Sequence, residues 1–287
     1  MISKEQVNDI NRIKESLKPD CKECFGLCCT ALYFSKSEGF PNNKDAGKPC
    51  INLRDDFKCS VHKSLRNKGL KGCIAYECFG AGQKISKYTY KGQSWRENPD
   101  NSKEMFDLFL IMFQLHEMLW YLTEAFRMSS DSDMQEKIKM IIDETVKITE
   151  SEPKNIFNID ITAHKKRVNE LLLKTSLQIR KKASMGKKGS LKNRKSIAGR
   201  LDFIGADCRK LNLVGEDLSG AFFIAANAAN VNFNGADLLG ADFRDADLSG
   251  ADLRNSLFLT QMQINSAKGD RKTLLPISLV YPEHWKK

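Results

Sequence analysis

Residues 201–260 repeat every five residues, reading LDFIG, ADCRK, LNLVG, EDLSG, AFFIA, ANAAN, VNFNG, ADLLG, ADFRD, ADLSG, ADLRN, SLFLT. A period of five matches neither the 3.6 of a helix nor the 2 of a strand. It suits a coil whose sides are each one repeat long, with two residues of every five turned inward. The third place holds Leu or Phe from Phe203 to Phe258, apart from Cys208 and Ala228. Such a side chain fills the axis of the coil. The first place is mostly Ala because it points into a crowded interior. The second place is mostly Asp or Asn, and the last two places face solvent or make the corners.

This pattern resembles the pentapeptide-repeat family. The resemblance implies a right-handed quadrilateral β-helix with four repeats per coil, so twelve repeats give three coils. At about 4.8 Å per coil the column is roughly 14 Å tall. Departures at Leu211, Glu216 and Val231 in the first place, and at Phe222 and Leu257 in the second, mark expected bulges or a packed face. Stacked coils bury one another and need caps at both ends. The helix and linker before Leu201 are expected at one end. Residues 261–287, anchored by Trp285, are expected at the other. Some family members imitate duplex DNA and bind DNA topoisomerases. The nine acids and four bases of residues 201–260 suit that role in part. Three coils, however, span only about four base-pair rises. An interaction or scaffold role with a protein partner is the stronger reading.

Eight of the nine cysteines lie within residues 21–78, as Cys21, Cys24, Cys28, Cys29, Cys50, Cys59, Cys73 and Cys78. The segment 21–97 has little periodicity with which to build a core, so a cross-link is expected to organise it. Thiolates bind zinc in tetrahedral sites and also hold iron–sulfur clusters. Eight ligands fit two four-sulfur sites, or one such centre with other roles for the rest. Disulfides, or thiol chemistry at the vicinal pair Cys28-Cys29, are the competing readings.

The stretches CKECFGLCC, GKPCINL, FKCSVH and GCIAYEC resemble the zinc- or iron-chelating family of CxxCxxCC proteins. A related pattern occurs in flagellin lysine methylases, which look like iron–sulfur proteins. The resemblance implies that all eight of these cysteines take chelating positions, and it tilts the cofactor from zinc toward an iron–sulfur cluster. Three residues rather than two separate Cys24 from Cys28, and His62 stands where the family often has an aromatic residue. Phe25, Leu27, Tyr76 and Phe79 are expected to line an apolar pocket around a cluster. The Gly-rich run Phe79–Gln83 is expected to let the backbone pass close to Cys78. With helices between, the whole resembles bacterial pentapeptide repeat-containing proteins.

The expected organisation is an α+β multidomain chain. A Cys-rich metal-binding module spans 1–97, a helical region 98–182, a basic linker 183–200, the repeat β-helix 201–260 and a C-terminal cap 261–287. Helices are expected over residues 1–17, from an Asn101/Glu104 capping box, from Ser132 to a stop at Pro153, and over 162–182. The net charge of +10 is largely the nine Lys and Arg between Arg180 and Arg200. That segment has no aromatic residue for base stacking, so nucleic acid is not the expected partner.

The apolar stretch Met105–Phe126 carries Asp107, Gln114, His116, Glu117 and Glu124, which a bilayer span would not tolerate. The N-terminus lacks an apolar leader, and a cytoplasmic setting with reduced thiols is expected. Cys208 reads as a small buried hydrophobe and His116 as a core histidine. His164 and His284 show no partner pattern. Neither a Ser-His-Asp order nor a phosphate loop is present, so no catalytic residue is assigned. An iron–sulfur redox protein or enzyme is the competing functional class.

Overall fold

The computed structural model describes residues 3–185, 191 and 194–285. It divides into two units, Met1–Leu172 and Leu173–Lys287.

In the first unit α1 (Lys4–Ser16) is closed by a capping box between Ser3 and Gln6. Its Ile10, with Leu17 just beyond, is buried. Two short helices carry cysteines: α2 (Leu27–Ala31) and α3 (Lys71–Ala75). A single turn, α4 (Ala81–Gln83), runs on into a π-helical turn, Lys84–Thr89. The long helix α5 (Ser102–Met128) is the axis of the unit, touching α1, α2, α4, α6 (Ser132–Thr149) and α7 (Pro153–Phe157). It buries Leu108, Phe109, Met112, Leu115, Leu119 and Leu122, a stripe at helical spacing that supplies most of the apolar core.

The expected capping box at Asn101 does not form. A 3-10 turn over Pro99–Asn101 leads directly into α5, Asn101 is already in helical conformation, and its side chain caps nothing. Glu104 instead accepts a hydrogen bond from the Tyr90 hydroxyl at 2.6 Å. The second start is capped by Asp131, whose side chain accepts from the amides of Asp133 and Met134. Pro153 opens α7 rather than merely ending α6, because proline fits the first helical turn. The cysteine-rich stretch and these helices share one unit: Trp95 packs edge-on against Phe106 across residues 97 and 98, at 5.7 Å.

By length and composition Pro99–Met128 could cross a membrane, but 67% of its most apolar window is buried in the fold. Its polar residues have partners inside the protein. Glu124 meets Lys14 at 3.0 Å, and His116 Nδ1 meets the Phe79 carbonyl at 2.7 Å.

The last long helix, α8 (Ile161–Ala183), carries the junction between the units. In the second unit its final turn lies against the coil, where Gly215 and Gly235 leave room for Arg180 and Ala183. Of the expected basic linker over 183–200, residues 186–190 and 192–193 lie outside the described residues. Residues 196–201 form the hairpin β1 (Ser196–Ile197) and β2 (Arg200–Leu201). Arg194 stacks its guanidinium over Phe203 at 4.3 Å and donates to the Asp202 carbonyl, which covers the first turn of the repeat.

The repeat closes on itself every twenty residues: Asp202 bridges Phe222, Asp207 bridges Asn227, and Phe222 bridges Asp242, all in parallel. Phe203 stacks on Phe223 at 4.3 Å, and Phe223 on Phe243 at 5.0 Å. The third-place side chains are fully or almost fully buried, as are Ala221, Ala226, Ala236, Ala246 and Ala251 in the first place. The rungs are single bridges rather than long strands, and β1–β2 is the only sheet among the described residues. Each five-residue side gives its last places to a corner, leaving too little extended chain for a ladder.

Two local devices explain the repeat. The second-place carboxylate or amide accepts the amide two residues on, as in Asp202 to Ile204, Asn227 to Ala229 and Asp247 to Ser249. The fifth place takes the left-handed conformation in most repeats, with Gly205 at φ 61° and Gly220 at 64°, but not at Lys210, Asn255 or Thr260. Ala225, Asn230 and Asp245 keep that conformation without glycine.

Beyond the repeat, α9 (Gln261–Ser266) turns a corner. The tail then continues beside the last turn, Leu248 donating to Lys268 and Leu253 to Leu274. Trp285 is buried, donates to the Ala267 carbonyl at 3.1 Å and packs over Gly269, where a Cβ would stand 2.6 Å from the indole.

Candidate functional site

The first unit holds the site. Asp20 caps the turn Cys21–Glu23 through the Lys22 amide. Gly26, at φ 67°, starts α2 under Leu53, where any side chain would collide. This places Cys28 and Cys29 on the first turn of α2. Cys50 is tied to that helix by donating its amide to the Cys29 carbonyl at 3.0 Å. Cys59 is brought back by its antiparallel bridge to Leu53. Cys73 comes from α3. Cys78 precedes the sharp turn at Phe79 and Gly80, both in the left-handed region.

Seven of the eight expected ligands, all but Cys50, line a single cavity of about 1000 Å³. Cys50 packs with Cys73 against the buried cluster of Phe34, Phe40 and Leu70. His62, in a 3-10 turn after Cys59, also lines the cavity. Of the four residues expected to form the apolar wall, only Tyr76 does so; Phe25, Leu27 and Phe79 are not on it. Phe79 is fully buried and spends its ring on Phe113 and Trp120. The apolar lining comes instead from Leu32, Phe34, Phe40, Phe57 and Leu65. Gly82 passes close to the sulfurs as expected: a Cβ there would stand 2.7 Å from Cys24 Sγ and 3.8 Å from Cys78 Sγ.

Burial sets the protonation of these thiols. It pushes Cys21 and Cys24 up to about 11 and Cys73 up to about 12, and it raises Cys59 and Cys78 as well. Cys28 keeps its proton and donates it to Cys29, which is held below the usual thiol range by that bond and by the nearby Lys44 ammonium. All nine cysteines are unbridged. Two further polar atoms in the wall, Tyr76 Oη and Glu77 Oε2, are buried without a partner.

Thiol sulfur is a donor type that thiophilic metals take. Such thiols would have to release their protons on binding a metal. Among the described residues, no three Cys, His, Asp or Glu side chains stand close enough to clasp one ion as they are placed. The sulfurs surround a volume instead of a point.

The other candidates have structural roles. Cys208 is fully buried inside the coil, far in sequence from the module. His116 is buried, and burial lowers its pKa to about 4. His164, which lacked a sequence signal, meets Thr145 Oγ1 at 2.8 Å beside the doubly bonded pair Arg167–Glu144. His284 meets the Ala267 carbonyl at 2.9 Å.

The His116 shift has a measurable consequence. Unfolded, His116 takes up a proton near pH 6.5; folded, it refuses one until about pH 4. Between those values the unfolded state binds the extra proton, so stability falls as pH falls, by roughly 3 kcal/mol over the window. His116→Gln lacks this titration. Urea unfolding from pH 7 to pH 4 is expected to show a steeper acid loss for wild type than for the variant. Parallel curves would remove His116 as the cause.

The repeat of residues 202–238 and 223–258 matches the family described as pentapeptide repeats, in eight copies. The uncharacterized protein YybG of Bacillus subtilis (strain 168) is 48% identical over 276 residues, which is 96% of this chain and 97% of that protein. The similarity thus takes in the cysteine-bearing unit as well as the coil. Repeat and full-length relative together place the chain in the family of pentapeptide-repeat proteins.

Proposed function

We propose that the first unit is a CxxCxxCC-type zinc- or iron-chelating module and that the chain is a metal-containing interaction or scaffold protein. The observation that carries this reading is the convergence of seven expected ligands on one cavity. Folding brings them there from segments as distant as Cys21 and Cys78, and burial holds most of them as neutral thiols. The spread of the sulfurs around a volume favours an iron–sulfur cluster over zinc as the resident group, because zinc draws its four ligands onto one point. Cys21, Cys24, Cys28, Cys29, Cys50, Cys59, Cys73 and Cys78 would hold the metal, which would supply the cross-link that the segment's sparse core lacks.

For the second unit, the twenty-residue return supports a quadrilateral β-helix of three coils, right-handed as in the rest of the family. A rigid column of this kind suits a protein partner. Imitation of duplex DNA has less support. The second-place carboxylates are spent on the repeat's own amides, and Asp207, Asp242 and Asp252 are each paired with the arginine two residues on.

Protein purified without oxygen or chelator is expected to be brown, with charge-transfer absorbance and equimolar iron and acid-labile sulfide. A colourless sample with bound zinc would replace the cluster by structural zinc. Protein free of both metals and yet ordered over residues 21–97 would overturn the metal reading.

A further inference from the structure

The eight cysteines do not form one continuous ring. Cys24 and Cys78 face each other across Gly82, their sulfurs both within 4 Å of the position its Cβ would take. Cys28 has Cys24 and Cys78 as near neighbours besides the adjacent Cys29, and Cys78 has Cys21. The turn bearing Cys21 is held against the same backbone by Gln83, which accepts from the Asp20 amide at 2.6 Å and donates to the Lys18 carbonyl at 2.8 Å.

The other four are tied together by different contacts. Cys50 donates its amide to the Cys29 carbonyl. Leu53, which donates to the Cys50 carbonyl, bridges Cys59. Cys50 and Cys73 pack on the same Phe34–Phe40–Leu70 cluster. Cys73 has Cys29, Cys50 and Cys59 as its neighbours.

The vicinal pair is the hinge of this division. Adjacent residues on a helix are turned about 100° apart, and the Cys28 and Cys29 thiols still touch, Cys28 donating to Cys29. Yet α2 sets each beside a different group of three. Resting on the metal-binding reading above, we infer that the chain holds two separate four-cysteine centres, one on Cys21, Cys24, Cys28 and Cys78 and the other on Cys29, Cys50, Cys59 and Cys73. They adjoin, since Cys21 also stands near Cys29 and Cys59.

The test uses full-length protein purified anaerobically. Zinc, iron and acid-labile sulfide are counted per chain, and iodoacetamide protection of each thiol is mapped by mass spectrometry. Wild type is expected to carry metal for two centres and to protect all eight thiols. Cys24→Ser is expected to halve the metal and expose only Cys21, Cys28 and Cys78. Cys59→Ser is expected to halve it and expose only Cys29, Cys50 and Cys73, and the double variant to retain none. Should either variant fail to fold, the wild-type stoichiometry and protection count still decide. Metal for a single centre, four protected thiols, or total loss from one substitution overturns the two-centre division while leaving metal binding intact. Wild type without zinc or iron overturns the metal reading beneath it, and this inference with it.

Discussion

Leu238→Asp is expected to abolish cooperative folding of the second unit. Leu238 is fully buried on the axis of the coil, with Leu218 one turn before it and Phe258 one turn after, both equally buried. Truncating such a leucine costs about 2–5 kcal/mol. A carboxylate among these apolar side chains adds the further cost of an unpaired charge or of an unsatisfied acid. Together these exceed what a domain of this size commonly has to spare. The effect depends on the five-residue register, so Ile204→Asp is the control. Ile204 occupies the fourth place and is 51% exposed, and its replacement is expected to stay within about 0.5 kcal/mol. Thermal unfolding of the full chain followed by circular dichroism reads both. An unchanged transition in Leu238→Asp, or equal losses in the two variants, would mean that the third place is not the axis.

Glu124→Leu is expected to destabilise the first unit by about 3–5 kcal/mol, because it strands a buried ammonium. Lys14 Nζ lies 3.0 Å from Glu124 Oε1 and sits over the Trp120 ring, and the lysine is only 4% exposed. Burial already lowers its pKa to about 8, against the pull of Glu124. With Glu124 gone, the Arg127 charge nearby adds to the cost. Lys14→Met alone is expected to lose a similar amount by leaving the carboxylate unpaired. The double variant is expected to recover most of the loss, since an apolar pair of similar volume needs no desolvation. Urea unfolding monitored by tryptophan fluorescence closes this cycle. Strictly additive losses would show that the two side chains do not depend on each other.

How much of this was legible beforehand depends on how local each feature is. The coil could be read five residues at a time, because each repeat carries its own instructions. A small residue and a large apolar one point inward, an Asp or Asn braces the turn, and a glycine takes the left-handed corner. Even Trp285 could be picked out as the anchor of the tail. The cap at Asn101 could not, because a proline turn running into α5 and a tyrosine claiming Glu104 are decided by neighbours in space. The same holds for His164, whose partners Thr145 and Glu144 come from another helix. Phe25, Leu27 and Phe79 stay off the pocket wall for a related reason. Closeness in sequence to a cysteine places a ring near the site but does not say which way it faces.

The amino-acid order by itself determined that the second unit winds with a five-residue period and that thiols crowd the front of the chain. Both are properties of spacing, and spacing survives without knowledge of the fold. Only the tertiary structure decided which thiols meet, that the Cys28 thiol donates to Cys29, and that α5 is a core helix wrapped by its neighbours. Those outcomes depend on loops of tens of residues closing in one particular way. Packing and backbone hydrogen bonds choose that closure, and no short window of sequence contains it.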